Sequence, residues 1–326
     1  MADPLPISVV IPAYNAAETL AETLASVAAQ TCPPSEIVVV DDGSTDDTAA
    51  LARQLGARVV QQTNRGLSAA RNAGIRAASQ PWIALLDSDD LWAPTKLAHQ
   101  WRAVTAHPDV GIVATDHAQF FEDGSPEVPS VLTTMGETYR VLGGQVREAG
   151  VRYFPDIREQ IHAAGHFLIP STILARRQLL VDAGLFDESF RIVEDVECFL
   201  RLVNRAPLAV VEEPLMRYRV RATSLSRSYL RMLRGMIQLH DVMDAKQEAY
   251  PPHVLGVFQR ALPGRLREAG VLLLESGATA DARPLLRRAL LASPSPKNAA
   301  ILMLAWMPAP LRRRLVAAYR RRAPAA

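Results

Sequence analysis

Three acidic side chains, Asp87, Asp89 and Asp90, follow the apolar run at residues 82–86. An apolar run of this length predicts a strand that is buried on both faces. Carboxylates this close repel one another, and a divalent cation relieves the repulsion because Mg²⁺ and Mn²⁺ prefer hard oxygen ligands. The alternative is structural, with Asp89 or Asp90 capping a helix that begins near Pro94. By itself the segment predicts either a metal site or a helix cap.

Two other predicted strands also end in polar residues. The strand at residues 7–11 is followed by a polar turn at residues 12–15, and the strand at residues 37–40 is followed by Asp41 and Asp42. In an open parallel sheet, ligands bind just beyond the carboxyl ends of the strands. We therefore expect these two strand ends and the acids after residue 86 to converge on one crevice.

The elements that position these groups alternate between strand and helix, which predicts a doubly wound, mostly parallel sheet with right-handed crossovers. No G-x-G-x-x-G follows the first strand, and no G-x-x-x-x-G-K-[ST] occurs. A dinucleotide site or a P-loop is therefore not expected. Phosphate would have to be held by a metal and by arginine, and Arg65 and Arg71 are the arginines nearest the predicted crevice.

Composition and charge indicate a globular protein with two parts. The chain has 326 residues, of which 49% are hydrophobic and 21% are charged. Residues 227–326 hold 17 basic and 6 acidic residues, a balance of +11, whereas residues 1–226 hold 19 and 28, a balance of −9. This contrast predicts a domain boundary near residue 226. The second part has the pattern of a helical domain.

Cysteine usage and hydropathy bear on location. Cys32 and Cys198 have no metal-type spacing, so we expect two thiols in a reducing compartment. We expect no signal peptide, and no apolar stretch reaches the ~18 residues of a membrane span. These features predict a cytoplasmic protein. The arginine clusters at 312–314 and 320–322 are typical both of a helix on an anionic membrane and of a solvated basic helix. No motif supports nucleic-acid binding.

A second acidic pair, Glu194 and Asp195, precedes a helical pattern that continues through Val203. Both acids are therefore predicted in the first turn of a helix, where negative charge is favourable in any case. Two adjacent acids also raise the pKa of one of them, which suits proton abstraction from a hydroxyl group. The pattern alone favours the structural interpretation.

Four segments resemble, in order, the motif series of family 2 glycosyltransferases with the GT-A fold. They are SVVIPAYN at 8–15, IVVVDDGSTDDT at 37–48, NRGLSAARNAG at 64–74 and LLDSDDLW at 85–92. The resemblance covers roughly residues 6–226. It implies an inverting transferase that uses a nucleotide-sugar, usually a UDP-sugar, together with Mn²⁺ or Mg²⁺. The domain expected at residues 1–226 is thus a GT-A glycosyltransferase domain, followed by a helical C-terminal domain at 227–326.

The resemblance also implies roles for single residues. Tyr14 would pack on the base, Asp42 would hydrogen-bond its edge beside Asp41, and Arg65 would contact the nucleotide. Asp87-Ser88-Asp89 would be the D-x-D motif that holds the ribose and the metal–diphosphate, with Asp87 and Asp89 as metal ligands. The residues expected to contact the donor are Pro12, Tyr14, Asp41, Asp42, Arg65, Arg71, Asp87, Ser88, Asp90 and Arg221.

By the same resemblance, Glu194 and Asp195 match the catalytic-base motif, with Asp195 as the base and Glu194 as its neighbour. Arg221 stands where the family often has histidine. A guanidinium cannot bind a metal but can hold a diphosphate, so Arg221 is expected to contact the donor's diphosphate.

The resemblance predicts a hexosyltransferase-type enzyme of polysaccharide or glycoconjugate assembly. The acceptor is expected to be a saccharide or a lipid-linked saccharide. Two alternatives remain open at this stage. One is a polyprenyl-phosphate glycosyltransferase, and the other is a catalytically silent GT-A scaffold whose helical domain recruits partners.

Overall fold

The computed structural model describes residues 3–148, 150–157, 168–221, 228–250 and 252–322. The chain divides into two compact units, Met1–Ser224 and Leu225–Ala326. The first unit contains one mixed sheet with helices, and the second is helical.

The first unit contains ten strands and eight α-helices within the described residues. The strands are β1 Leu5–Ala13, β2 Pro34–Asp41, β3 Arg58–Gln61, β4 Trp82–Leu85, β5 Leu91–Trp92, β6 Ile112–Phe121, β7 Gln145–Glu148, β8 Val151–Phe154, β9 Leu174–Arg176 and β10 Leu208–Val220. The helices are α1 Leu20–Ala28, α2 Thr48–Gln54, α3 Leu67–Ala77, α4 Lys96–Ala106, α5 Val131–Met135, α6 Glu137–Val141, α7 Arg177–Asp182 and α8 Glu194–Val203. A 3-10 turn covers Pro170–Thr172.

The sheet has the strand order β3-β2-β1-β4-β9-β6-β10-β8-β7, and β5 pairs with β10. Strands β1 to β4 are parallel neighbours, and β6 is parallel to β10. Strand β9 runs antiparallel between β4 and β6. Apolar residues fill β1 and β4 because both faces of these central strands are covered. The predicted GT-A-type, mostly parallel architecture with a helical C-terminal region is confirmed.

Helix α3 lies unusually close to the sheet, and Gly74 makes this possible. A Cβ atom on Gly74 would lie 2.3 Å from Val10 Cγ1 and 3.0 Å from Val40 Cγ2. A side chain there would push the helix outward. Because helices run back across a parallel sheet, the first turns of α3 lie at the carboxyl ends of the strands. The close contact at Gly74 therefore sets the height of Arg71 over those strand ends.

One sequence-based alternative for the first unit is contradicted by the structure. The alternative role of Asp89 or Asp90 as a helix cap is wrong, because α4 begins at Lys96 after Thr95 and has no side-chain cap. Helix α1 begins only at Leu20, seven residues after the end of β1. The main-chain N–H of Ala16 donates to Thr48 Oγ1 at 2.8 Å, which keeps this segment in a turn.

The second unit contains five α-helices within the described residues: α9 Tyr229–Ala245, α10 Pro252–Glu275, α11 Thr279–Ala292, α12 Pro296–Leu304 and α13 Ala309–Arg322. Gly277, with φ of +86°, separates α10 from α11. Gly270 lets these helices approach, because a Cβ atom there would lie 2.4 Å from Leu286 Cδ2. Among the described helices, none is long and apolar enough to cross a membrane.

Candidate active site

The turns after β1 and β2 are fastened to each other at the edge of the crevice. The main-chain N–H of Asn15 donates to Ser44 Oγ at 2.9 Å, and the N–H of Thr45 donates to Asn15 Oδ1 at 2.8 Å. Asn15 has a φ of +48°, a left-handed conformation that asparagine tolerates better than most residues. Pro12 is buried within β1, whereas Tyr14 is 51% exposed. The turn therefore presents an aromatic ring to solvent on a fixed backbone.

Asp41, at the end of β2, is an acceptor for its own turn. The main-chain N–H of Ser44 and the side-chain amide of Gln61 both donate to its carboxylate at 3.0 Å. Burial alone would raise the pKa of Asp41, but hydrogen bonds from Ser44 and Gln61 outweigh it and lower the pKa. Asp41 is therefore held ionised and stabilises the turn that follows β2.

Asp42 fixes the segment that leads into α3. Its two carboxylate oxygens accept the main-chain N–H groups of Arg65 and Gly66, both at 2.8 Å. Gly66 has a φ of +94°, and a Cβ atom there would lie 2.5 Å from Arg191 Nη1. The side chain of Arg65 pairs with Glu188 at 2.8 Å. The strand end at β2, the start of α3 and the loop around residue 188 thus form one connected group.

Arg71 joins two acidic motifs that lie far apart in the sequence. Its Nη1 donates to Glu194 Oε1 at 2.6 Å, and its Nη2 donates to both oxygens of Asp87 at 2.8 and 3.1 Å. The residue is 1% exposed, and its guanidinium lies over the ring of Phe186. Burial alone would lower the pKa of Arg71, but Asp87 and Glu194 raise it above its usual range. Arg71 is therefore a permanent cation between the acids after β4 and those on α8.

The remaining acids after β4 differ in their surroundings. Asp90 is buried and accepts hydrogen bonds from Ser171 Oγ at 2.5 Å and from the main-chain N–H of Arg219 at 3.0 Å. Burial, followed by the charges of Asp89 and Asp87, raises its pKa well above the ordinary value. Burial and then Asp87 raise the pKa of Asp89 to about 6. Both acids therefore hold a proton more readily than an isolated aspartate does.

Hydrogen bonds to main-chain oxygens fix the turn that carries these acids. The main-chain oxygen of Ser88 accepts hydrogen bonds from Thr19 Oγ1 at 2.9 Å and from Thr23 Oγ1 at 3.0 Å. The main-chain oxygen of Asp89 accepts from Arg219 Nε at 2.8 Å. Helix α1 and strand β10 therefore fix the backbone of the turn, and its carboxylates do not need to hold it.

Asp195 is the partly exposed member of the acidic pair on α8. Partial burial, and then the charge of Glu194, raise its pKa to about 7, whereas Arg71 opposes the shift. Glu194 is buried and bonded to Arg71. The pair lies in the first turn of α8, as predicted, and this location alone does not explain an acid titrating near neutrality.

The backbone before this pair is strained. Val193 has a φ of +59°, and its relative exposure is only 2%. A β-branched residue in the left-handed region costs about 1–3 kcal/mol and persists only where surrounding structure imposes it. Leu185, with a φ of +61°, is strained in the same way and accepts from Arg201 Nη2 at 2.6 Å through its main-chain oxygen. Both strained residues flank the loop that contacts Arg71 through Phe186 and Arg65 through Glu188.

Arg221 lies at the end of the described part of the first unit. Its Nη2 donates to Glu18 at 2.8 Å and its Nε to Glu122 at 3.0 Å. The neighbouring Arg219 pairs with Glu22 at 2.5 Å. The guanidinium groups of Arg219 and Arg221, at and just beyond the end of β10, are therefore ion-paired beside the turn that carries Asp89.

The sequence analysis assigns no role to three residues that contribute to the site. Ser171 supports both Asp87 and Asp90, Arg219 supports Asp89 and Asp90, and Asn72 exchanges hydrogen bonds with the backbone of Phe186. Asn72 lies inside the recognised segment 64–74, beside Arg71. Ser171 and Arg219 reach the site only through the pairing of β9 and β10 with the sheet.

The donor set after β4 fits a hard divalent cation. Asp87 and Asp89 provide carboxylate oxygens at the mouth of the crevice. Burial, and then the charge of Asp87, raise the pKa of Asp89, and a bound cation would offset both effects. No group of three histidine, cysteine, aspartate or glutamate side chains within the described ranges is placed to hold a metal by itself. Two carboxylates suffice for Mg²⁺, which usually takes its other ligands from phosphate and water.

The sequence model of the family described as Glycosyl transferase family 2 matches residues 8–181. This range covers more than half of the chain and includes the strand ends of β1, β2 and β4. The chain belongs to glycosyl transferase family 2. The family resemblance seen in the four sequence motifs is thereby confirmed.

This family 2 glycosyltransferase is similar in sequence to known relatives and in fold to solved structures. It is 33% identical over 244 residues to the succinoglycan biosynthesis protein ExoU of Rhizobium meliloti. The matched region covers 70% of this chain and 66% of ExoU. The structure of S. aureus TarS 1–349 in complex with UDP-GlcNAc has a TM-score of 0.63 at 20% identity, covering 97% of this chain and 92% of TarS 1–349. The mannosyltransferase PcManGT of Pyrobaculum calidifontis, in complex with GDP-Man and Mn²⁺, has a TM-score of 0.55 at 20% identity, covering 97% and 86%. At these identities the two structures establish the shared fold.

Proposed function

We propose that this glycosyltransferase moves a sugar from a nucleotide-sugar, with UDP-sugars as the donor class, to an acceptor hydroxyl with inversion at the anomeric carbon. The observation that carries the proposal is the double ion pair of Arg71. It connects the acids at the end of β4 with the helix that bears Asp195, an acid whose pKa is raised to about 7. Such a transfer requires carboxylates that can hold a metal beside the diphosphate, and a group that accepts the proton of the acceptor hydroxyl.

In the proposed reaction, Asp195 accepts the proton of the acceptor hydroxyl on its carboxylate oxygen. The hydroxyl oxygen forms a bond to the anomeric carbon, and the bond from that carbon to the diphosphate oxygen breaks on the opposite face. The nucleoside diphosphate leaves with the electron pair of the broken bond. Burial, and then the charge of Glu194, keep the pKa of Asp195 high, and Arg71 keeps Glu194 in place. Asp195 is the catalytic base in this account, and Glu194 is a positioning residue.

Asp87 and Asp89 are proposed to hold Mn²⁺ or Mg²⁺. When bound, such an ion acts as a Lewis acid that neutralises charge on a departing diphosphate. The chain's own part is to keep the two carboxylates oriented. Arg71 orients Asp87 through two hydrogen bonds, and Arg219 fixes the backbone of Asp89. The Mn²⁺ of PcManGT supports the assignment by analogy of fold.

The donor nucleotide is proposed to lie over the turns after β1 and β2. The exposed ring of Tyr14 supplies a face for a base. Because Asp42 already accepts two main-chain N–H groups, its contact with the base would use a remaining lone pair. Arg221 is proposed to bind the diphosphate, and to do so it would release Glu18 and Glu122, its present partners. The UDP-GlcNAc bound by TarS supports this placement by analogy of fold.

The acceptor is proposed to be a saccharide or a lipid-linked saccharide in polysaccharide assembly, on the cytoplasmic side. The similarity to ExoU, whose name assigns it to succinoglycan biosynthesis, supports this class. Residues 1–226 would carry the donor site and the base. The helical unit would act in docking rather than in chemistry.

Calorimetric titration with UDP, GDP, dTDP and CDP, each with and without Mn²⁺, tests the donor site. We expect one nucleotide to bind more tightly with the metal, and Asp89→Ala to remove the difference between the two conditions. Binding that is indifferent both to metal and to Asp89→Ala would refute the metal assignment. Binding of none of the four would favour a silent scaffold over an enzyme.

A further inference from the structure

The last two helices of the second unit, and the turn between them, expose apolar side chains. Met303, Trp306, Leu311 and Leu315 are 61%, 58%, 48% and 38% exposed. Leu311 and Leu315 are four residues apart on α13 and therefore share one face of the helix. A single exposed apolar residue is ordinary, but several within one short segment indicate an interaction surface.

Basic side chains lie beside this apolar strip. Arg314 and Arg321 are exposed, and neither forms an ion pair with another residue of the described ranges. Helical geometry places Arg314 one turn from Leu311, on the adjoining part of the helix surface. The sequence from residue 296 to 326 contains seven basic residues and no acidic one. The segment that carries the strip therefore has a net positive charge.

The opposite side of α13 packs against the rest of the second unit. Val316 is 2% exposed and packs in the core of the unit. Arg320 pairs with Glu275 at 2.9 Å and also with Glu268, so this arginine anchors α13 to α10. Arg312 is buried and donates to the main-chain oxygen of Met307 at 3.2 Å. The cationic groups that serve folding are thus separate from those that face solvent.

We propose that a surface formed by Met303, Trp306, Leu311, Arg314, Leu315 and Arg321, called the α12–α13 surface, docks on an anionic lipid membrane. The charge is complementary to anionic headgroups, and tryptophan and leucine partition into the boundary between headgroups and acyl chains. A nucleic acid would satisfy the arginines but leave Leu311 and Leu315 in water. The surface would hold the enzyme at a membrane without a spanning helix. The proposal does not depend on the proposed transferase chemistry.

Sedimentation with vesicles tests the proposal on the full chain. One set of vesicles contains phosphatidylcholine alone, and the other also contains phosphatidylglycerol. We expect binding only to the anionic vesicles and its loss at high salt, since exposed charges are then screened. Arg314→Gln with Arg321→Gln should weaken binding roughly 25-fold, at about fivefold for each arginine near the surface. Leu311→Gln with Leu315→Gln should weaken binding at least about tenfold, because apolar burial in the interface is lost.

The matched control is Arg231→Gln with Arg287→Gln, which removes the same charge from exposed positions elsewhere in the unit. This variant should bind within about twofold of the wild type. Equal weakening in both arginine pairs would overturn the proposal, because binding would then reflect net charge alone. No binding of the wild type to anionic vesicles at low salt would overturn it as well. Oligomers that dissociate in the Leu311/Leu315 variant, or tighter binding to an oligonucleotide than to vesicles, would assign the surface to a different partner.

Discussion

Replacing Arg71 by alanine is expected to lower the free energy of unfolding of the first unit by about 3–5 kcal/mol. Removing one member of a buried ion pair costs this much because the other charge stays uncompensated in a medium of low polarity. The guanidinium bonds Glu194 at 2.6 Å and Asp87 at 2.8 Å. The Glu194 side chain is 9% exposed and that of Asp87 26%. Water can therefore hydrate Asp87 in the variant, which favours the lower end of the range.

Urea unfolding monitored by tryptophan fluorescence measures this change. Arg76→Ala is the matched control, because Arg76 lies on the same helix and is exposed. Its effect should stay within about 0.5 kcal/mol. Adding Glu194→Gln to Arg71→Ala should recover about 1–2 kcal/mol, since a neutral amide needs no buried cation. Equal destabilisation by Arg71→Ala and Arg76→Ala would refute the claim that Arg71 neutralises the two acidic motifs.

Three further predictions concern packing, backbone strain and pH. Gly74→Ala should lower the free energy of unfolding by about 1–3 kcal/mol in urea, because the added Cβ would collide with Val10 of β1. Adding Val10→Ala should recover part of this loss. No effect of Gly74→Ala would contradict the close helix–sheet contact. Val193→Gly should be about 1 kcal/mol more stable than Val193→Ala in the same assay, because only glycine adopts a φ of +59° without strain. The reverse order of stability would show that the left-handed conformation is absent. The transfer rate at low substrate should fall about tenfold for each pH unit below about 7, as Asp195 becomes protonated, and Glu194→Gln should move this limb to lower pH. A flat profile between pH 5 and 8 would contradict the assignment of Asp195.

The parts of the fold that the sequence predicts are those that local pattern specifies. Strands β1, β2 and β4 are short apolar runs that end in polar residues, and their locations are confirmed. Parallel strand direction then brings their ends together whatever the connecting helices contain. The start of α8 at Glu194 is also confirmed, because periodicity resumes at that residue.

The contacts that assemble the site depend on long-range packing and have no local signature. Glu194 lies 123 residues from Arg71 in the chain, and no periodicity indicates that they bond. Ser171 reaches Asp90 because β9 enters the sheet antiparallel between β4 and β6, a pairing that strand–helix alternation does not predict. The donor residues inferred from the resemblance, such as Tyr14, remain predictions about a bound state.

Asp195→Asn is compared with the wild type in two measurements, donor-nucleotide binding by calorimetry and sugar transfer to an acceptor. The amide has the shape of the carboxylate but cannot accept the acceptor's proton. We expect transfer to fall by roughly 10²–10⁴-fold, the contribution of general base catalysis, while nucleotide affinity stays within about twofold. Transfer at the wild-type rate by Asp195→Asn would contradict the account, because the proton would then have another acceptor.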